Sequence, residues 1–242
     1  GYHYPPLDYC VSGISTTATI KLTNGVAIGI YGSKGFVLNS SSKFISEGSP
    51  ARMNRLVRYY SVQEDPTTHW GASPLGGLLE MGSSGHEIRF RFTEVSLPSA
   101  TPNARTFLSG FGSQYNTVVP LAVSDSHLRG LSQSFGTFQI VSTIALTNNI
   151  FERCAISFQQ GFTGYYTYAD INLYVYNNLF VGGAIGFTYN NYYTSWMVKD
   201  NLFDCDAIGT GTYSVSASNN GYRSGLSSLG GSSNVVGIVP DY

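Results

Sequence analysis

Three carboxylates crowd one short stretch of this chain, Asp200, Asp204 and Asp206, with Lys199 beside them. Side chains alternate in direction along an extended strand, so Asp204 and Asp206 are expected on one side of the backbone. Such a group has two chemical uses. Carboxylate oxygens are the ligands that Ca²⁺ selects, which makes Asp200, Asp204 and Asp206 candidate metal ligands. A carboxylate pair about 5 to 9 Å apart can cleave a glycosidic bond by acid–base chemistry, with Asp204, Asp206 and Lys199 as the candidate catalytic residues. Asp170 can approach the group from earlier in the chain. The plainer reading is structural: Asp200 replaces an Asn in a turn, and the other two are solvated turn residues. None of these residues requires a cofactor, and calcium is the metal they could take.

A second group is aromatic. Tyr165, Tyr166, Tyr168, Tyr174, Tyr176, Tyr189, Tyr192, Tyr193 and Trp196 fall close together. Sugar rings stack on exposed aromatic faces, and aromatics anchor many binding sites. Tyr166, Tyr189, Tyr192, Tyr193 and Trp196 are the candidate ligand-binding residues, with a polysaccharide or cell-surface glycan as the partner. Tyrosine ladders also stabilise sheets by cross-strand pairing, and that structural role is the stronger expectation.

The remaining reactive residues are scattered. His3, His69, His86 and His127 have no matching partners and read as surface or turn residues. Cys10, Cys154 and Cys205 are odd in number and lack CxxC or Cys/His metal spacing, so three separate buried thiols are expected.

Composition describes the framework that must position these groups. Of 242 residues, 42% are hydrophobic, enough for a continuous core, but only 11% are charged. Gly, Ser, Thr, Asn and 18 tyrosines fill the difference, a mixture suited to strands separated by tight turns. No long run has a helical period. The net charge of −1 gives no electrostatic case for nucleic acid, and no stretch of about 18 apolar residues exists for membrane insertion. Most basic residues lie in the first two thirds. Arg52, Arg55 and Arg58, like Arg89 and Arg91, read as solvated strand faces. Low charge with abundant Asn, Ser and Tyr points to secretion.

A repeat organises the second half. Asn148-Asn149-Ile150-Phe151 precedes Ala155-Ile156-Ser157, Asn177-Asn178-Leu179-Phe180 precedes Ala184-Ile185-Gly186, and Asp200-Asn201-Leu202-Phe203 precedes Ala207-Ile208-Gly209. Asn149, Asn178 and Asn201 are 29 and 23 residues apart, with fainter copies at Ser126 and Asn220, 23 residues before and 19 after. Intervals of this length with two or three short apolar runs fit one coil of a solenoid better than a propeller blade. The repeated Asn is expected in a turn, its amide bonded to that of the next coil. Ile150, Leu179 and Leu202 are expected to point inward and to stack in line. Cys154 and Cys205 fall in adjacent registers two coils apart, so no disulfide is expected between them.

The first half fits the same architecture. Thr19–Leu22, Val26–Tyr31, Gly35–Leu38 and Phe44–Ser46 are short runs punctuated by Asn24-Gly25 and Glu47-Gly48-Ser49-Pro50; Leu56–Val62, Glu87–Val95 and Val118–Val123 follow. Thr67–Gly77, Pro98–Arg105 and Gln159–Tyr168 read as loops. The expected fold is all-β, a right-handed parallel β-helix with coils of 19–29 residues. It forms one domain over 1–242, with a lead-in at 1–18, coils over 19–225 and a tail or cap at 226–242.

The run Leu22–Val26, Gly35–Leu38 and Phe44–Pro50, with the Asn-Asn-[Ile/Leu]-Phe units, resembles the pectate-lyase-like superfamily of right-handed parallel β-helices, over about residues 19 to 225. It is similar in particular to β-helix segments of large secreted bacterial surface proteins, which implies a scaffold or carbohydrate-binding, adhesive module outside the cell. The superfamily's enzymes imply the alternative of a polysaccharide lyase or glycoside hydrolase on an acidic polysaccharide. The Gly-His-Gly of its hydrolases is absent here. A third alternative is a structural subunit that self-associates through open β-helix ends.

Overall fold

The computed structural model describes residues 2–3, 9–12, 18–30, 35–39, 42–58, 78–81, 86–97, 108–109, 118–136, 143–160, 172–189, 196–211 and 215–241. Among them there is no helix. Their strands form three sheets of twelve, four and eight members, and every strand pairing is parallel. The expected loops at Thr67–Gly77 and Pro98–Arg105 lie outside the described residues, as does nearly all of Gln159–Tyr168.

The chain moves between the sheets in a fixed order and returns to each one strand further along. Ala27–Ile30 belongs to the twelve-stranded sheet, Phe36–Asn39 to the four-stranded and Lys43–Glu47 to the eight-stranded; Asn54–Arg58, Leu79–Met81 and His86–Arg91 repeat the cycle. Later the cycle changes. Ile150–Gln160 and Leu179–Tyr189 are 11-residue strands of the twelve-stranded sheet, interrupted by left-handed Arg153 and by Gly182 and Gly183. Gly183 has no alternative: a Cβ there would lie 2.2 Å from the Cys154 carbonyl oxygen. All three sheets contribute to one hydrophobic cluster, which includes Leu38, Phe44, Leu56, Phe90, Leu173 and Val198.

Side-chain direction departs from expectation at one column. Ile150, Leu179 and Leu202 do stand in register. They face outward, however, with Ile150 43% and Leu202 39% exposed. The reason is the preceding asparagine. Asn149, Asn178 and Asn201 are each no more than 2% exposed. With the Asn inside, period-two alternation sends the next residue out and the Phe after it in. Phe151, Phe180, Phe203 and Tyr222 therefore build the inner column, with ring centroids 4.9, 5.1 and 5.2 Å apart and interplanar angles of 7°, 8° and 20°. That spacing is close to the strand separation of about 4.8 Å.

Each doublet in the repeat splits two tasks. Its first residue turns the chain: Asn148, Asn177, Asp200 and Asn219 have φ of 59°, 53°, 59° and 56°, a region that Asn and Asp tolerate better than other side chains. Its second residue joins a buried amide ladder. The backbone N–H of Asn149 donates to Asn178 Oδ1 at 3.0 Å, that of Asn178 to Asn201 Oδ1 at 2.9 Å, and that of Asn201 to Asn220 Oδ1 at 3.0 Å. Each Nδ2 donates to the same neighbouring Oδ1, at 3.0 Å in all three pairs. It also bonds a strand-end carbonyl, Val123, Leu146 and Val175 respectively. The ladder ends on Asn234 and extends upstream through Ser126, Thr93 and Asn54. Asn54 Oδ1 accepts the backbone N–H groups of Gly25 and Val26.

Asn178→Ala is expected to lower unfolding free energy by about 2 to 4 kcal/mol, because buried donors and acceptors lose their partners. Asn177→Ala is expected to cost only about 1 kcal/mol, and Asn177→Gly nearly nothing, because only the left-handed turn is affected. Urea denaturation of the three variants checks this order.

Candidate functional site

The acidic group is built where two sheets meet. Asp200 occupies the turn after Trp196–Lys199, and its Oδ1 accepts a hydrogen bond from Asn219 Nδ2 at 3.0 Å. It thus takes the Asn role in the turn column, as the structural reading expected. Asp204 ends the strand Leu202–Asp204 and is 4% exposed, whereas the Asp206 side chain is 71% exposed. The two do not share an environment, because Phe203, Asp204 and Cys205 are buried in succession and strict alternation lapses. Both carboxylates are drawn to one guanidinium: Arg223 Nε lies 3.6 Å from Asp204 Oδ1, and Arg223 Nη2 lies 3.7 Å from Asp206 Oδ1. Asp206 Oδ2 also accepts the Gly183 N–H at 3.0 Å. Arg223 was not among the sequence candidates, and its only signal was its place two residues after the Asn220-Gly221 copy of the repeat.

Lys199 is not part of this group. It belongs to the eight-stranded sheet, whereas Asp204 belongs to the twelve-stranded sheet. Among the described residues no three His, Cys, Asp or Glu side chains are grouped to hold a metal ion. Asp170 lies outside the described residues. His127 Nε2 and Arg129 Nε each lie 3.2 Å from a Glu152 carboxylate oxygen, and Arg129 forms an ion pair there. The side chains of His3 and His86, and the whole of His69, lie outside the described residues.

The charged strand faces upstream are laced with ion pairs, as expected of solvated faces. Arg55 pairs with Glu94, Arg91 with Asp125, and Lys43 with Glu87. The hydrogen bond from Lys43, with Arg89 adding to it, holds the Glu87 carboxyl below its ordinary range.

The aromatic group divides three ways. Tyr165, Tyr166, Tyr168, Tyr192 and Tyr193 lie outside the described residues, as does the side chain of Tyr189. Trp196 is a core residue rather than a binding one: it is 1% exposed and packs edge-on against Phe158 at 6.4 Å. Its register partner is the inward Leu173, so alternation turns the indole into the core. Tyr174 and Tyr176 are half-buried on the outer face of the same sheet, with ring centroids 6.0 Å apart. The Tyr176 hydroxyl donates to Met197 Sδ at 3.2 Å. Burial pushes the Tyr176 phenol up, and Tyr174 adds to the shift.

Register brings Lys199 to these tyrosines. Tyr176 pairs with Lys199 and Tyr174 with Met197, while Thr147 and Ala145 flank them on the other side. The result is an outer face with two tilted aromatic rings and an ammonium group, bordered by Ala145, Thr147 and Met197. It can stack a sugar ring and bond its hydroxyl or anionic groups. The sequence carried the signal for this grouping: Lys199 stands before Asp200-Asn201 as Tyr176 stands before Asn177-Asn178.

Cys154 and Cys205 are free buried thiols, with no bond between them, as expected from their registers. Burial raises the Cys154 thiol to about 12 and the Cys205 thiol to about 11, against an ordinary value of 9.0. Protonation is thus favoured in the folded state. Their stabilising contribution is complete below the unfolded value of 9.0 and is lost as pH rises through about 11 and about 12. The urea midpoint is therefore expected to fall above pH 9, and less steeply in a Cys154→Ala, Cys205→Ala variant.

No protein-family model matches the chain, and no curated protein or solved structure matches it.

Proposed function

We propose that the chain is a secreted, right-handed parallel β-helix of the pectate-lyase-like type, serving a bacterial surface protein as a rigid glycan-binding module. What supports the β-helix reading is the strand order: the twelve- and eight-stranded sheets gain a strand on each return of the chain, around a shared core. The binding reading rests on Tyr174 and Tyr176, two half-buried rings beside Lys199 on an outer face. A polysaccharide bearing carboxylate groups suits that combination, its rings on the tyrosines and its charge toward the ammonium. The lyase or hydrolase reading has less behind it. Asp204 and Asp206 are both engaged by Arg223, and Lys199 lies on another sheet.

Incubation with insoluble acidic and neutral polysaccharides, with and without Ca²⁺, tests the proposal. Retention without new reducing ends or unsaturated products is the expected result. Tyr174→Ala and Tyr176→Ala together are expected to weaken retention roughly tenfold while leaving the circular dichroism spectrum unchanged. Lys199→Ala is expected to weaken it chiefly at low salt. Product release that vanishes in Asp206→Ala would replace this reading with the enzymatic one. Retention indifferent to both tyrosines would remove the site.

A further inference from the structure

The outer face of the twelve-stranded sheet changes character along the chain. Upstream, after Ala27, one column carries the polar or ionisable side chains Arg55, Glu94 and His127. From Ile150 the same column becomes apolar: Ile150, then Leu179, then Leu202. Val181 also faces outward, in register with Glu152 on one side and with the inward-turned Asp204 on the other. Beyond the left-handed residues the face is lined by small side chains, Ala155, Ala184 and Ala207 in one row and Ser157, Gly186 and Gly209 in the next. The central strand, Leu179–Tyr189, thus presents Leu179, Val181, Ala184 and Gly186 outward and no charge among them. Half-exposed leucine and isoleucine in line on this face form a surface whose burial is favourable.

The charges that border this face differ in sign from end to end. Toward the preceding strands lie Arg129 and exposed Arg153 with Glu152, an excess of positive charge. Toward the following strands lie exposed Asp206 and, beneath the surface, Asp204 with Arg223, a formal excess of one negative charge. Rotation by a two-fold axis through the central strand would set the basic end of one copy opposite the acidic end of another. It would also bring the two apolar columns together. An isologous contact requires a patch of this self-complementary kind.

From this charge complementarity across an apolar centre we infer that the face spanning Ile150, Leu179 and Leu202 is the contact surface for a second copy of this chain, packed side by side and antiparallel. The contact is independent of the tyrosine face, which lies on another sheet.

Sedimentation velocity over a concentration series tests it on the intact chain, starting at low salt. A monomer of 26.2 kDa in equilibrium with a dimer is expected. Ile150→Lys and Leu202→Lys alter solvent-facing positions, so the thermal transition should be unchanged while dimerisation weakens at least roughly tenfold. Arg153→Glu should weaken it about tenfold, and adding Asp206→Arg should recover most of the loss. A chain that stays monomeric at every concentration would overturn the inference. So would association that survives Ile150→Lys but is lost in Val236→Lys, since Val236 lies on the exposed final strand Val235–Ile238 instead.

Discussion

The asparagine ladder is the constraint from which the rest of this structure follows. An amide buried to within 1 or 2% of complete exclusion must have its donors and acceptor satisfied, and here the partner is always the same group on the adjacent strand. That requirement admits one register. A slip of one residue in one repeat would leave the neighbouring amides unpaired in the core and turn that repeat's Phe toward solvent. Hydrophobic stacking then acts on a register already chosen, and the rings of Phe151, Phe180 and Phe203 come within about 5 Å of each other. Where the chain uses Ser126, Thr93 and Asn54 instead, the ladder is carried by hydroxyls and one upstream amide.

The same constraint leaves the outer faces as the place where side chains can vary. With the inner positions committed to amides and rings, variation is confined to the outward residues of each strand and to the connections between sheets. The eight-stranded sheet uses this freedom for Tyr174, Tyr176 and Lys199, and the twelve-stranded sheet for a charged face that gives way to an apolar one. The acidic group is the exception, because Asp204 is pulled inside beside Arg223 where alternation lapses. A carboxylate held in this way is better suited to fixing the end of a strand than to turning over a substrate.

Much of the fold was legible in the residue pattern. The Asn doublets, their spacing and the Asp200 substitution were enough to anticipate the turns, the amide ladder and the in-line Ile150, Leu179 and Leu202. Direction was misjudged for those three residues because an apolar side chain was assumed to outrank an Asn for an inward position. The ladder reverses that preference: a fully bonded amide loses little by burial, and the next inward place falls to the larger Phe. Trp196 was misassigned to a binding strip for a related reason. Proximity in sequence to tyrosines carries no information about facing, whereas its alignment with Leu173 does. Arg223 and the grouping of Lys199 with Tyr176 depend on register between strands, which becomes readable only after the repeat has been aligned.

Native-state hydrogen exchange at the backbone amides of Asn149, Asn178 and Asn201 tests the ladder most directly, with Gly183 as an internal reference on the exposed Asp206 contact. If the buried amide column sets the register, these three N–H groups should exchange only through global unfolding, with a common free energy equal to that from denaturation. Exchange by local opening, at a free energy well below the global value and no slower than at Gly183, would contradict the account.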